Sequence, residues 1–233
     1  FYTMSCAKDL TYHEVERYLL LSERYFQRFP GEVIQPEVYI DKELAEKYKS
    51  ELGEKPVGIN CGSVWHTKKW PAENFAAVAD ELKNRGYTPV IIGSEDDRAD
   101  VDKLVAASKY DHLNYCGKTS LRELPALISN FKYLITNDSG PMHIATAVDV
   151  PCVAIFGPTV KELGFTPYDE KSLVAEIEGL GCRPCGKHGS AKCPKGHFKC
   201  MKEIVPENVL ALFDVVSAPE VKRQPKYVTE KVD

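Results

Sequence analysis

Apolar and polar positions along the chain follow two rhythms. Residues 13–29 (HEVERYLLLSERYFQRF) set Val15, Tyr18, Leu19, Leu21 and Phe26 at helix-like spacing, and Pro30 and Gly31 end that run. Residues 31–40 read as extended and 41–52 as a short charged helix. From Pro56 onward the rhythm alternates between short apolar runs and longer amphipathic ones. VGIN at 57–60 reads as a buried strand, and 71–85 as a helix with Pro71 in its first turn and Gly86 just past its end. Strand 89–92, helix 96–108, short strand 112–115, helix 120–129, strand 132–136, helix 139–148 and strand 152–156 complete the series. This order predicts an α/β fold: a doubly wound, Rossmann-like parallel sheet with its ligand at the carboxyl ends of the strands. After Gly157 the alternation stops. Residues 157–171 read as a loop, 173–177 as one more strand, 179–202 as a cysteine-rich loop and 206–216 as a closing helix, followed by an extended or poorly ordered tail from Ser217.

Composition narrows the function classes. The 233 residues are 43% hydrophobic with both charge signs interspersed, as in an ordinary globular chain, and the formal charge of −4 gives no reason to expect a nucleic-acid partner. No run approaches the ~20 apolar residues needed to span a bilayer. The opening FYTMSCAKDL lacks a basic stretch followed by an apolar core, so a cytoplasmic location is expected, and its Phe rather than Met suggests a processed or truncated chain. Of the eight cysteines, Cys6, Cys61, Cys116 and Cys152 are scattered, whereas four crowd into 182–200, a distribution that favours metal or redox chemistry over a disulfide framework.

The candidate chemistry gathers at strand ends. Thr136 to Ala145 (TNDSGPMHIA) reads as a strand entering a tight turn that opens a helix, with Ser139 or Asp138 as cap and Gly140 allowing close approach of a ligand. Exposed amides and the helix dipole there suit a phosphate, and His143, about one helical turn past Ser139, can face the same ligand. A capped helix with a buried histidine explains the same residues without a ligand. A second strand end, Asn60 to Pro71, offers Gly62 and Ser63 as donors and the Lys68–Lys69 pair as charge for a diphosphate, or simply a solvated lysine pair over two tryptophans. The acidic turn Glu95–Asp97 suits ribose hydroxyls or a helix start, and Gly117–Ser120 suits the rim of a base pocket or a plain cap.

The phrases GSVWHTKKWPAENFAAVADEL, VIIGSEDD and ITNDSGPMHIATAVDVPCVAIFGPT, followed by CRPC and CPKGHFKCM, together resemble the family 9 glycosyltransferases, the ADP-heptose:lipopolysaccharide heptosyltransferases and their relatives. The resemblance covers roughly residues 55–205. It implies the C-terminal, donor-binding half of a GT-B enzyme, in which two Rossmann-like domains face a cleft. On this resemblance residues 1–54 form a junction left from an absent or incomplete acceptor domain, 55–216 the nucleotide-sugar-binding domain with its cysteine-rich loop 179–202, and 217–233 a tail. Lys68 is implied to neutralise the donor diphosphate and Ser63 to contact phosphate, Asp97 (or Glu95) to hold ribose, and Thr119 to lie at adenine. Asp138, Ser139, Gly140, Met142 and His143 form the implied grip on phosphates and sugar. The implied partners are an ADP-sugar donor and a lipopolysaccharide core or other glycan acceptor, with peripheral contact at the inner membrane. No cofactor is implied for the chemistry, and the general base is expected in the other half of the enzyme.

Cys182, Cys185, Cys193 and Cys200 supply four soft ligands within 19 residues, enough for a structural zinc or iron site, although compact reduced thiols or disulfides fit the same spacing. Three function classes follow: a donor-binding glycosyltransferase domain (with a glycan or a protein acceptor), a non-catalytic nucleotide-sugar-binding module, and a zinc-ribbon-like binding element joined to a Rossmann domain.

Overall fold

The computed structural model describes residue 9, residues 11–26 and residues 35–218. Among them, six strands form one all-parallel sheet in the order β3-β2-β1-β4-β5-β6. The strands are β1 (Pro56–Asn60), β2 (Thr88–Ile92), β3 (Leu113–Asn114), β4 (Tyr133–Asn137), β5 (Cys152–Ile155) and β6 (Leu173–Ala175). β1 is central and buried along its whole length, pairing Gly58 with Val90 on one side and with Leu134 on the other. Gly58 is dictated by packing: a Cβ there would lie 2.5 Å from the Phe131 ring and 2.7 Å from Leu134. Between β1 and β4 the winding direction reverses, which opens a crevice at the carboxyl edge of the sheet.

The period of two in each strand sends side chains to two separate cores. Val57, Ile59, Ile91, Ile135, Val153 and Ile155 point to one face, where α3 (Ala72–Asn84), α4 (Arg98–Ala107) and α8 (Pro206–Ser217) cover them. Trp70 and Phe75 meet edge to face in this layer with ring centroids 4.9 Å apart. Val90, Ile92, Leu134, Cys152 and Ala154 point to the other face, under α2 (Lys42–Leu52), α5 (Leu124–Ile128) and α6 (Gly140–Ala147). The short α7 (Lys199–Lys202) brings Met201 and Cys200 into the first core.

Several expected boundaries move for local reasons. The 96–108 helix begins with a 3-10 turn at Glu95–Asp97, because Asp97 turns back to accept from the Ser94 amide at 2.9 Å and hydroxyl at 2.7 Å. The 120–129 helix is only five residues, entered through a turn in which Ser120 and Glu123 bond each other. α2 is capped by Asp41, and its Tyr48 and Leu52 are core residues, so packing of the sheet domain starts before residue 55. α1 (Glu14–Phe26) is tied to the 157–171 loop by Glu14 N–H to Gly164 O at 2.9 Å and Arg17 Nη1 to Leu163 O at 2.9 Å. The expected helix end at 27–29, the start of the extended segment at 31–34 and the tail beyond 218 lie outside the described residues.

Candidate functional site

A cavity of about 480 Å³ opens at the reversal point, within the range of small-molecule sites. Its walls come from four strand exits: Asn60, which ends β1, with Gly62 to Val64; Gly93, Ser94, Asp96 and Asp97 after β2; Thr119 to Leu121 and Leu124 before and into α5; and Ser139 to Pro141 at the start of α6. Ser63, Asp97, Thr119, Ser139 and Gly140, named from the sequence, therefore do converge on one cleft.

Two asparagines that end apolar strands tie the surrounding loops together, Asn60 in the cavity lining and Asn137 outside it. Asn60 is 2% exposed, and its Nδ2 donates to Thr136 Oγ1 and to Ser139 Oγ, both at 2.9 Å. Asn137 is fully buried; its Nδ2 donates to Cys61 O at 2.8 Å while its Oδ1 accepts from Trp70 N–H at 3.0 Å. The strand-end loops are thus locked together before any ligand arrives. Both residues lie inside the strand-end segments singled out from the sequence but were given no role there, although a buried amide closing a Val/Ile-rich strand was the available signal. Gly62 is equally constrained, since a Cβ there would sit 2.3 Å from the Asp97 carboxyl carbon.

The expected capping of α6 takes a different form. Ser139 occupies the N-cap position without a side-chain cap, because its hydroxyl is engaged by Asn60 and donates to Asn137 O at 3.2 Å. Asp138 is turned away to Lys68 Nζ at 2.6 Å and accepts from Thr159 Oγ1 at 2.7 Å. Pro141 has no N–H and the Met142 N–H donates to Ser139 O at 3.1 Å, which leaves the Gly140 amide, uncapped by the Ser139 side chain, at the positive end of the helix dipole.

The Lys68–Asp138 pair is nearly buried, with side chains 12% and 5% exposed. It sits beside the cavity, whereas Lys69 lines it and is held by Asp100 at 2.7 Å and Asp97 at 3.9 Å. His143, partly open to solvent, belongs to the Lys68 side. Desolvation lowers its pKa below the usual imidazole value, Asp138 opposes that shift, and His13 and Lys68 reinforce it. Met142 does not reach the cleft: it is fully buried in the core beneath α6. Glu95 is drawn away by Arg98 at 2.5 Å, leaving Asp97 and Asp96 as the cleft carboxylates.

The zinc or iron reading of Cys182, Cys185, Cys193 and Cys200 is not supported. Among the described residues no three histidine, cysteine, aspartate or glutamate side chains form a group that could hold a metal ion. Cys185 turns its thiol to Cys182 O at 3.2 Å, Cys182 lies 3.8 Å from His197 Nε2, and Cys200 is buried, which pushes its pKa up to about 11. Cys61, Cys116 and Cys152 are free thiols buried beside the strands.

A doubly wound parallel sheet with a polar cleft at its reversal point defines a Rossmann-like domain. The model of "glycosyltransferase family 9 (heptosyltransferase)" matches residues 1–195. A lipooligosaccharide heptosyltransferase 2 of Campylobacter jejuni is 33% identical over 171 residues, 72% of this chain and 53% of that protein. A family 9 glycosyltransferase structure from Veillonella parvula superposes with a TM-score of 0.76 at 27% identity, covering 91% of this chain and 62% of that one. The structure of an Escherichia coli ADP-heptose lipopolysaccharide heptosyltransferase II gives 0.74 at 25% identity, covering 91% and 64%. The chain belongs to glycosyltransferase family 9. It spans about half the length of the curated relatives it matches. No described helix is long and apolar enough to cross a membrane.

Proposed function

We propose that this chain forms the nucleotide-sugar donor site of a GT-B heptosyltransferase, which moves a heptose or related sugar from an ADP-sugar to a lipopolysaccharide core or other surface glycan. The observation that carries the proposal is the convergence of Ser63, Asp97, Thr119 and the open start of α6 on one cavity, with the Lys68–Asp138 pair alongside. The names of the relatives supply the sugar and the acceptor class.

In this reading the adenosine lies along the Gly93–Asp97 and Thr119–Leu124 walls, with Asp97 accepting from ribose and Ile92, Leu121 and Leu124 offering apolar contact to the base. The diphosphate lies over the start of α6, at the Gly140 amide, within reach of the Ser63 hydroxyl and the Lys68 ammonium. Lys68 carries three donors and spends one on Asp138, so it can bridge carboxylate and phosphate. Asp138, held by Lys68 and Thr159, faces the transferred sugar. As the glycosidic bond breaks, negative charge grows on the β-phosphate, where a helix N-terminus and a fixed ammonium stabilise the transition state more than the ground state. Transfer inverts the anomeric centre, and the base that takes the acceptor proton comes from a facing domain of the kind the longer relatives have room for. The reaction takes place in the cytoplasm, with peripheral membrane contact bringing in the acceptor.

Calorimetric titration with ADP, ADP-heptose and UDP tests the assignment. The proposal requires saturable one-to-one binding of the two adenine ligands and clearly weaker binding of UDP. Equal affinity for UDP and ADP would remove the base-pocket assignment, and no binding of any of the three would remove the donor site.

A further inference from the structure

The cysteine-rich segment holds no assembled ligand set, yet it is fastened at both ends to the loops that carry the ion pair. Toward the loop after β1, Thr67 N–H and hydroxyl both donate to Ser190 O, at 3.1 and 3.0 Å, and Ser190 N–H donates back to Thr67 Oγ1 at 2.7 Å. Thr67 is 2% exposed, so these bonds lie out of competition with water. Next to them Gly189 packs so closely that a Cβ would lie 2.4 Å from Trp65 Cβ and 3.0 Å from Lys68 Cγ. The rings of His66 and Phe198 stack with centroids 5.8 Å apart, and Phe198 holds a left-handed backbone, φ 55°, to present its ring there.

Toward the loop after β5, Cys185 N–H donates to Pro158 O at 2.9 Å and Arg183 Nη2 to Thr159 O at 2.8 Å. The same guanidinium reaches the carbonyls of Phe156, Gly157 and Ile177 and pairs with Glu176 at 2.7 Å. Thr159 in turn holds Asp138. The segment therefore grips Lys68 through its neighbour Thr67 on one side and Asp138 through Thr159 on the other, while contributing no residue to the cavity lining.

We propose that residues 182–200 are a strap that sets the position of the Lys68–Asp138 pair over the diphosphate, with Thr67 and Gly189 as positioning residues of the donor site. The proposal rests on the donor-site reading above. It makes a distinction that a merely structural loop would not: loosening the strap weakens ligands that carry a diphosphate and leaves adenosine untouched.

The test titrates ADP and adenosine against the full chain and three variants, with thermal melting as a control for folding. Thr67→Val keeps the shape and removes the hydroxyl, Thr67→Ser keeps the hydroxyl, and Gly189→Ala forces Trp65 and Lys68 outward. ADP affinity should fall about tenfold in Thr67→Val and in Gly189→Ala, the scale of one lost hydrogen bond to a positioned charge. Adenosine affinity should stay at the wild-type value in both, and Thr67→Ser should bind ADP as wild type does. Unchanged ADP affinity in folded Thr67→Val and Gly189→Ala, or a parallel loss for adenosine, overturns the strap while wild-type ADP binding leaves the donor site standing. If neither variant folds, the segment is a folding element and the strap is overturned too. A wild-type chain that fails to bind ADP overturns both readings at once.

Discussion

Replacing Lys68 by alanine separates two roles that one side chain combines. Its ammonium is 2.6 Å from Asp138, and the two side chains are 12% and 5% exposed, so removing it leaves a nearly buried carboxylate that still accepts from Thr159 but has lost its ammonium. Breaking a buried pair from one side costs about 3–5 kcal/mol, which for a domain of this size is a fall in melting temperature on the order of 10 °C. The loss of ADP affinity is a separate quantity, about 1.5–3 kcal/mol for one charge-assisted hydrogen bond to phosphate. The double variant Lys68→Ala/Asp138→Asn resolves them. Its neutral amide no longer needs a counter-charge, so most of the melting temperature returns, while ADP affinity stays low because the ammonium is still absent. Calorimetry and thermal melting on wild type, both single variants and the double variant form a complete cycle. ADP affinity returning together with stability in the double variant would refute the reasoning, since Lys68 would then act on the fold alone.

Further outcomes follow from the same geometry. The pKa of His143 is held below the usual imidazole value, and a bound diphosphate raises it; ADP binding near pH 6.5 should therefore take up a fraction of a proton, seen as a buffer-dependent enthalpy that disappears in His143→Gln. Desolvation also lowers the pKa values of His13 and His112, the latter against the opposing Asp80, so the unfolded chain binds these protons more readily than the folded one. Stability should be complete above the ordinary histidine value of about 6.5 and fall as pH drops through the depressed folded values; a melting temperature that rises between pH 7 and 5 would contradict this. The 233-residue chain should bind ADP-heptose yet show no transfer in a radiolabelled-sugar assay, and robust turnover would place the base within it, with Asp138 the first residue to test.

Most of the sheet was legible because its strands are short Val/Ile-rich runs separated by amphipathic helices, a pattern that only a buried parallel arrangement satisfies. The cleft was legible in outline, since Ser63, Asp97, Thr119, Ser139 and Gly140 follow strand ends and topology alone brings strand ends together. Side-chain orientation was not legible. Asp138 and Ser139 were both plausible caps, and only the positions of Asn60, Lys68 and Thr159 decide that neither caps α6. Met142 sits within the motif, but α6 turns it into the core. The cysteine spacing suggested a shared ligand set, whereas α7 carries Cys200 into the core and the segment spends its polar groups on neighbouring loops.

The central claim, that the reversal-point cleft is the donor site, is tested most directly by where ADP slows amide hydrogen exchange. Protection should appear at residues 62–64, 93–97, 117–121 and 139–143, strongest at the Gly140 amide that opens α6, with little change at the opposite end of the sheet around His112. Protection centred elsewhere, or unchanged exchange at 139–143 under saturating ADP, would contradict it.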